Sequence, residues 1–161
     1  MIGKTLGGWQ ASAVTYFNTG LPLTVTTAAG TDPAALGIIG SSASSPRPDM
    51  VCDPNQNAPH TRFQWFNTAC FQNVPTGVHL PGNAGRGVVR GPGFERVDLG
   101  LFKNILFHER IKLQLRGEAT NSFNHANPNG VGVSLGTTST YGTITSFRDP
   151  RIIQLGAKFS F

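Results

Sequence analysis

The final ten residues, IIQLGAKFSF, alternate apolar side chains with small or polar ones and stop on an aromatic residue at the terminus itself. An extended strand sends successive side chains to opposite faces. Ile153, Leu155, Ala157, Phe159 and Phe161 therefore share one side, and Ile152, Gln154, Gly156, Lys158 and Ser160 the other. Ending on Phe161, with no polar tail, marks the terminus as an element to be docked. Upstream, IKLQLRGEATN repeats the pattern, setting Ile111, Leu113, Leu115, Gly117 and Ala119 against Lys112, Gln114, Arg116, Glu118 and Thr120. Such a sheet fits a soluble sandwich, with its charged face in water. It fits equally an outer-membrane barrel, whose apolar face meets lipid and whose charged face meets a polar lumen.

The rest of the chain points to β structure as well. Its 20 glycines and 11 prolines fall mostly between residues 18 and 95. No segment sustains a 3.6-residue apolar period without a Gly, Pro or β-branched cluster, so the expectation is an all-β chain without long helices. The net charge is +5, but the 13 basic residues are scattered and none of their runs alternates with stacking aromatics. Nucleic acid is therefore not an expected partner. No stretch reaches the roughly 18–20 consecutive apolar residues of a spanning helix, but barrel strands need only about 9–11.

The amino terminus, MIGKTLGGWQ, has no apolar stretch before a small-residue cleavage site. A cytosolic protein and the tail of a longer exported one both fit. Cys52 and Cys70 lie in a Pro/Asn-rich stretch, in CDPNQN and WFNTACF, without CxxC spacing or a His pair placed for zinc. Two such cysteines outside a reducing compartment would pair, and the disulfide is the reading adopted over two free thiols.

Strands are expected at about 9–17, 95–104, 110–121 and 151–161, with long irregular loops at about 18–94 and 122–150. The first strand sets Trp9, Ala11, Ala13, Thr15 and Phe17 against Gln10, Ser12, Val14 and Tyr16; the second sets Val97, Leu99 and Leu101 against Arg96, Asp98, Gly100 and Phe102. Connections run long, short, long, the asymmetry of outer-membrane barrels with short periplasmic turns and long extracellular loops. Keeping the leucines on one face requires paired residue numbers in the central hairpin to sum to an even value. A sum of 214 sets Asp98 against Arg116 and Arg96 against Glu118, and is the register expected from charge. Aromatics gather near strand ends, with Trp9, Phe159 and Phe161 at one level and Tyr16, Phe17, Phe123 and Phe147 at the other, as interfacial belts would.

No catalytic constellation emerges. His60, His79, His108 and His125 are far apart in loops, His108-Glu109 does not extend into HExxH, and neither a GxSxG elbow nor a phosphate loop is present. No metal site, cofactor or enzymatic activity is expected. The most organised polar set is Asp98, Lys112, Gln114, Arg116, Glu118, Gln154 and Lys158, which in a barrel would line the lumen and otherwise forms a cross-strand charge ladder. Its apolar counterpart, facing lipid in a barrel, is Val97, Leu99, Leu101, Ile111, Leu113, Leu115, Ile153, Leu155 and Phe159.

Five segments together carry a family resemblance: GWQASAVTYFNTGLPLTV, RPDMVCDPN with WFNTACF, GNAGRGVVRGPGFERVDLGLFKN, ERIKLQLRGEATNSFNHANP and YGTITSFRDPRIIQLGAKFSF. In order and spacing the chain resembles the carboxy-terminal end of TonB-dependent outer-membrane receptors, in particular the Oar-like, acidobacterial type. The resemblance implies the last strands of a transmembrane β-barrel in the outer membrane of a Gram-negative cell, with extracellular loops. It also implies solute uptake driven through TonB, and a terminal Phe161 read by the barrel-assembly machinery. Implied partners are outer-membrane lipid, the remainder of the receptor's barrel and plug, and a solute of unknown identity. Bacterial single-chain barrels have at least about 8 strands and four are expected here, so the chain reads as a fragment forming an incomplete barrel. The alternative is a secreted β-sandwich binding or adhesion module with a disulfide-tied loop. It requires Leu99, Leu113 and Leu155 to be covered by a second layer.

Overall fold

The computed structural model describes residues 7–28, 31–32, 34–37, 46–107 and 111–161. Its strands, in chain order, are β1 (Trp9–Asn18), β2 (Pro22–Leu23), β3 (Asp49–Met50), β4 (Phe71–Gln72), β5 (Val89–Arg90), β6 (Phe94–Phe107), β7 (Ile111–Thr120), β8 (Pro128–Val131), β9 (Ile144–Phe147) and β10 (Ile152–Ser160). The strand pairs are all antiparallel among the described residues, which also include a 3-10 turn at Thr68–Cys70. The chain is thus all-β. It divides into two compact units, one of residues 1–18, 94–127 and 148–161, the other of 19–93 and 128–147.

The first unit is an open four-stranded sheet in the order β1-β6-β7-β10. Its strands alternate up and down, as the two-sided sequence pattern requires. β6 runs three residues beyond the expected Asn104, because Ile105 and Phe107 continue the apolar alternation and pair with Leu113 and Ile111. The expected connecting residues His108 and Glu109, and the expected strand start at Arg110, lie outside the described residues.

The hairpin register differs from the one expected from charge. Leu99 faces Ala119 and Phe102 faces Arg116, a sum of 218 in place of 214, so the Asp98–Arg116 and Arg96–Glu118 cross-strand pairs do not form. The charges pair along their own strands instead, Arg96 with Asp98 at 2.9 Å and Arg116 with Glu118 at 3.9 Å. Partly exposed ion pairs contribute little and cannot dictate a register. The turn after β7 pins it: the Asn121 N–H donates to the Asp98 carboxylate at 2.9 Å, and the Ser122 N–H donates to the Val97 carbonyl at 2.8 Å. Asn121 sits at φ 50°, a left-handed conformation that asparagine tolerates better than most residues. Glycines make room for the long polar chains: Gly100 stands opposite Glu118, and a Cβ on Gly156 would lie 2.6 Å from Arg116 Nε.

The second unit is largely irregular in backbone, as expected, but its described residues pack together. Residues 19–93 and 128–147 build a common core of Val25, Phe66, Cys70, Phe71, Ala84 and Val89, with Val131, Val133, Leu135 and Tyr141 packed against it. The Phe66 ring meets Phe71 and Tyr141 edge-on at 6.0 and 5.6 Å. Three two-stranded pairings, β2-β5, β3-β4 and β8-β9, frame this core, and Cys52 is disulfide-bonded to the buried Cys70. Burial pushes the Tyr141 phenol above its ordinary titration range.

At two places in this unit asparagine side chains satisfy backbone groups that no strand reaches. Asn83 Oδ1 accepts from the Met50 N–H and its Nδ2 donates to the Met50 carbonyl, at 2.6 and 3.2 Å. Asn55 bridges the Arg90 N–H and the Val88 carbonyl in the same way, at 2.8 and 2.7 Å. A carboxamide presents the same donor and acceptor as a peptide group, so it can stand in for a missing neighbouring strand.

The candidate barrel wall and its polar face

Register fixes what each face of the four-stranded sheet displays. β1 pairs with β6 so that Ala11 faces Leu101 and Ala13 faces Leu99, and β7 pairs with β10 so that Gly117 faces Leu155 and Ala119 faces Ile153. One face therefore reads small, large, small, large across its central rows: Ala13, Leu99, Ala119, Ile153, and then Ala11, Leu101, Gly117, Leu155. A shallow apolar trough of about 460 Å³ runs among Ala11, Ala13, Leu99, Leu101, Gly117 and Ile153. Val97, Leu99, Leu101, Ile111, Leu113, Leu115, Ile153, Leu155 and Phe159 all share this face by parity.

No described residue seals that face. Leu101 is 49% exposed, Phe159 59% and Leu155 80%. The second layer that a sandwich would place over Leu99 and Leu155 is absent among the described residues. A water-soluble domain rarely leaves a patch of this kind bare, whereas a membrane barrel requires it. No described helix is long and apolar enough to cross a membrane, which says nothing about strands.

The opposite face collects Asp98, Lys112, Gln114, Arg116, Glu118, Gln154 and Lys158, with Glu118 facing Gln154 and Gln114 facing Lys158. Asn104, unremarkable in the sequence, joins them by accepting from Gln114 Nε2 at 2.9 Å. Ser12, Asp98, Gly100, Glu118, Thr120 and Gln154 line a depression of about 330 Å³ on this side. Among the described residues no group of three His, Cys, Asp or Glu side chains could hold a metal ion.

Two features escaped the reading of the strands one by one. Lys103 falls on the apolar face opposite Trp9, yet it is only 8% exposed. Its Nζ donates to the Gly7 carbonyl at 2.6 Å and lies 4.8 Å from the centre of the Trp9 ring, so the cation turns away from the apolar surface towards the strand end. Tyr16, expected in an aromatic belt, points instead to the polar face, where Arg96 covers its ring at 4.7 Å. Only Phe17, 75% exposed, occupies the apolar face at that end of β1. Parity within β1 already separates the two residues; the partner of each ring emerges only from the pairing with β6.

The rim at this end is held by the NSFNHAN segment. Asn127 Nδ2 donates to the Glu95 carbonyl at 2.7 Å and its Oδ1 accepts from the Glu95 N–H at 3.0 Å. Asn121 Nδ2 reaches the carbonyls of His125 and Asp149, and Asn124 Oδ1 accepts from the Arg151 N–H at the start of β10. Three asparagines spaced three residues apart thus tie the ends of β6, β7 and β10 together.

These observations define one class of protein: a wall of up-and-down strands, apolar and bare on one side, polar on the other. A family model for the outer membrane beta barrel domain matches residues 1–154, and the chain belongs to that family and is an outer-membrane protein. No curated protein and no solved structure matches it.

Proposed function

We propose that this chain forms the last strands and extracellular loops of a TonB-dependent outer-membrane transporter and contributes them to solute uptake by the complete receptor. The observation that carries the reading is the single-layer sheet, uncovered on its apolar face and studded with charge on the other. In that setting Leu99, Leu101, Leu155 and Phe159 meet acyl chains, while Asp98, Lys112, Arg116, Glu118 and Lys158 face the lumen. The free edges of β1 and β10 pair with the remaining strands of the barrel, which removes the aggregation hazard of open edges. Phe161, 98% exposed and just beyond β10, serves as the barrel-assembly signal. The disulfide-tied second unit stands on the extracellular side, as the resemblance implies. No catalytic step is assigned to the chain.

The test is uptake by the complete receptor in cells with and without TonB, together with single cysteines introduced at Leu101 and Gln154. Uptake is expected to depend on TonB. A polarity-sensitive thiol dye is expected to report hydrocarbon at position 101 and water at 154. TonB-independent uptake would remove the transporter assignment; the same signal at both positions would remove the barrel wall.

A further inference from the structure

The polar face carries at its rim an alternating column of rings and guanidinium groups. Arg96 lies over Tyr16 at 4.7 Å and over Phe94 at 5.9 Å, and Arg148 lies over Phe94 at 4.6 Å. The order along the column is therefore ring, cation, ring, cation. Tyr16 and Phe94 share the parity of the lumen-side residues, so they cannot belong to a lipid-facing belt. The two cations differ in what they hold: Arg96 is sandwiched between rings and paired to Asp98, while Arg148 is exposed and has no carboxylate within 4.0 Å among the described residues.

Two carboxylates of the rim are already engaged. Asp98 takes Arg96 and the Asn121 N–H, and Glu95 sits 2.9 Å from His125 Nδ1. The backbone around Arg148 is held on both sides: its own N–H donates to the Asn127 carbonyl at 2.8 Å, and the Asp149 carbonyl accepts from Asn121 Nδ2 at 3.3 Å. Asn127 thus places Arg148 through its backbone and the neighbour of Phe94 through its side chain. The result is a pre-positioned planar cation with a ring on one side and solvent available to it, a geometry that favours stacking of a further ring at little ordering cost.

We propose that Arg148, on its Phe94 platform, is a binding site for planar aromatic anions, the ring of the ligand adding to the column and its charge meeting a guanidinium with no described carboxylate within 4.0 Å. This names a solute class for the lumen mouth and so rests on the barrel-wall reading. It does not require TonB.

The test is equilibrium binding to the complete receptor in detergent, with 2-naphthoate as the fluorescent probe. Decalin-2-carboxylate serves as its saturated counterpart and 2-naphthylmethanol as its neutral one. Saturable 2-naphthoate binding is expected, weakened about tenfold by R148Q and severalfold by R148K and F94L, and unchanged by K158Q. Both counterparts are expected to bind at least about fivefold more weakly. Unchanged affinity in R148Q, or equal binding of the saturated acid, would overturn the proposal. Loss of TonB-dependent uptake with 2-naphthoate binding intact would count against the transporter reading alone.

Discussion

The carboxamide of Asn127 makes with Glu95 the two backbone hydrogen bonds that a neighbouring strand would make, at 2.7 and 3.0 Å. Glu95 pairs with Phe17 on its other side, so the side chain extends the sheet by one residue where β7 has already turned away. Asn127 is almost wholly buried. Asn127→Ala removes both bonds and strands two backbone groups near solvent, and is expected to cost about 1–3 kcal/mol. The check is the urea midpoint of the protein assembled in lipid; a midpoint equal to that of the parent would show that the staple contributes nothing.

The hairpin register can be read chemically. Cysteines replacing Phe102 and Arg116 are expected to cross-link on mild oxidation, because these residues face each other. The pair Asp98→Cys with Arg116→Cys is offset by four residues, or about 13 Å along the strands, and should stay reduced. Cross-linking of the second pair in preference to the first would restore the charge-matched register.

The two faces should differ sharply in their tolerance of charge. Leu101→Arg places a cation in hydrocarbon and is expected to destabilise the assembled protein by about 2–4 kcal/mol if it lies near the bilayer midplane. Gln154→Arg, on the opposite face, should change stability by less than about 1 kcal/mol. Chemical unfolding from lipid vesicles distinguishes them, and equal costs would contradict the assignment of faces.

Removing the Cys52–Cys70 link by a double Cys→Ala change should destabilise the second unit by about 3 kcal/mol, since the bridge closes a loop of moderate length. Cys70 also belongs to the buried core, so reduction should expose Phe66 and Phe71 together. Protease sensitivity between residues 46 and 93 under reducing conditions is the measurement. Resistance matching the oxidised protein would argue that packing alone suffices.

Burial keeps the Tyr141 phenol protonated beyond its ordinary 10.0. Its folded-state pKa lies above the unfolded one, so its contribution is complete below pH 10.0 and lost as pH rises past that value. Tyr141→Phe should flatten this part of the alkaline stability profile at the cost of the weak bond to the Thr68 carbonyl. Identical profiles for parent and variant between about pH 9 and 12 would show that the phenol is not coupled to folding.

What could be read without coordinates follows from how far each physical signal reaches. Strand parity is local: the alternation of Ile111 to Ala119 and of Ile153 to Phe159 is carried by neighbours two apart, so the two faces and the up-and-down arrangement were legible. The core of the second unit was not. Val25, Phe66 and Val89 lie in short apolar patches beside Leu23, Trp65 and Val88 that are too brief to say which of them meet, and they come together only when segments more than 20 residues apart converge.

The register shows the same division from the other side. Opposite charges at Asp98 and Arg116 made one pairing attractive, but these partly exposed charges found partners along their own strands, at 2.9 and 3.9 Å. The choice fell to Asn121 and Ser122, whose backbone groups close on Asp98 and Val97 once the turn is formed. From the sequence alone came the identity of each face, because side-chain direction is set residue by residue. Which residues confront one another, and which asparagine replaces a missing strand, was decided only in three dimensions, because buried peptide groups must find partners wherever the folded chain brings them.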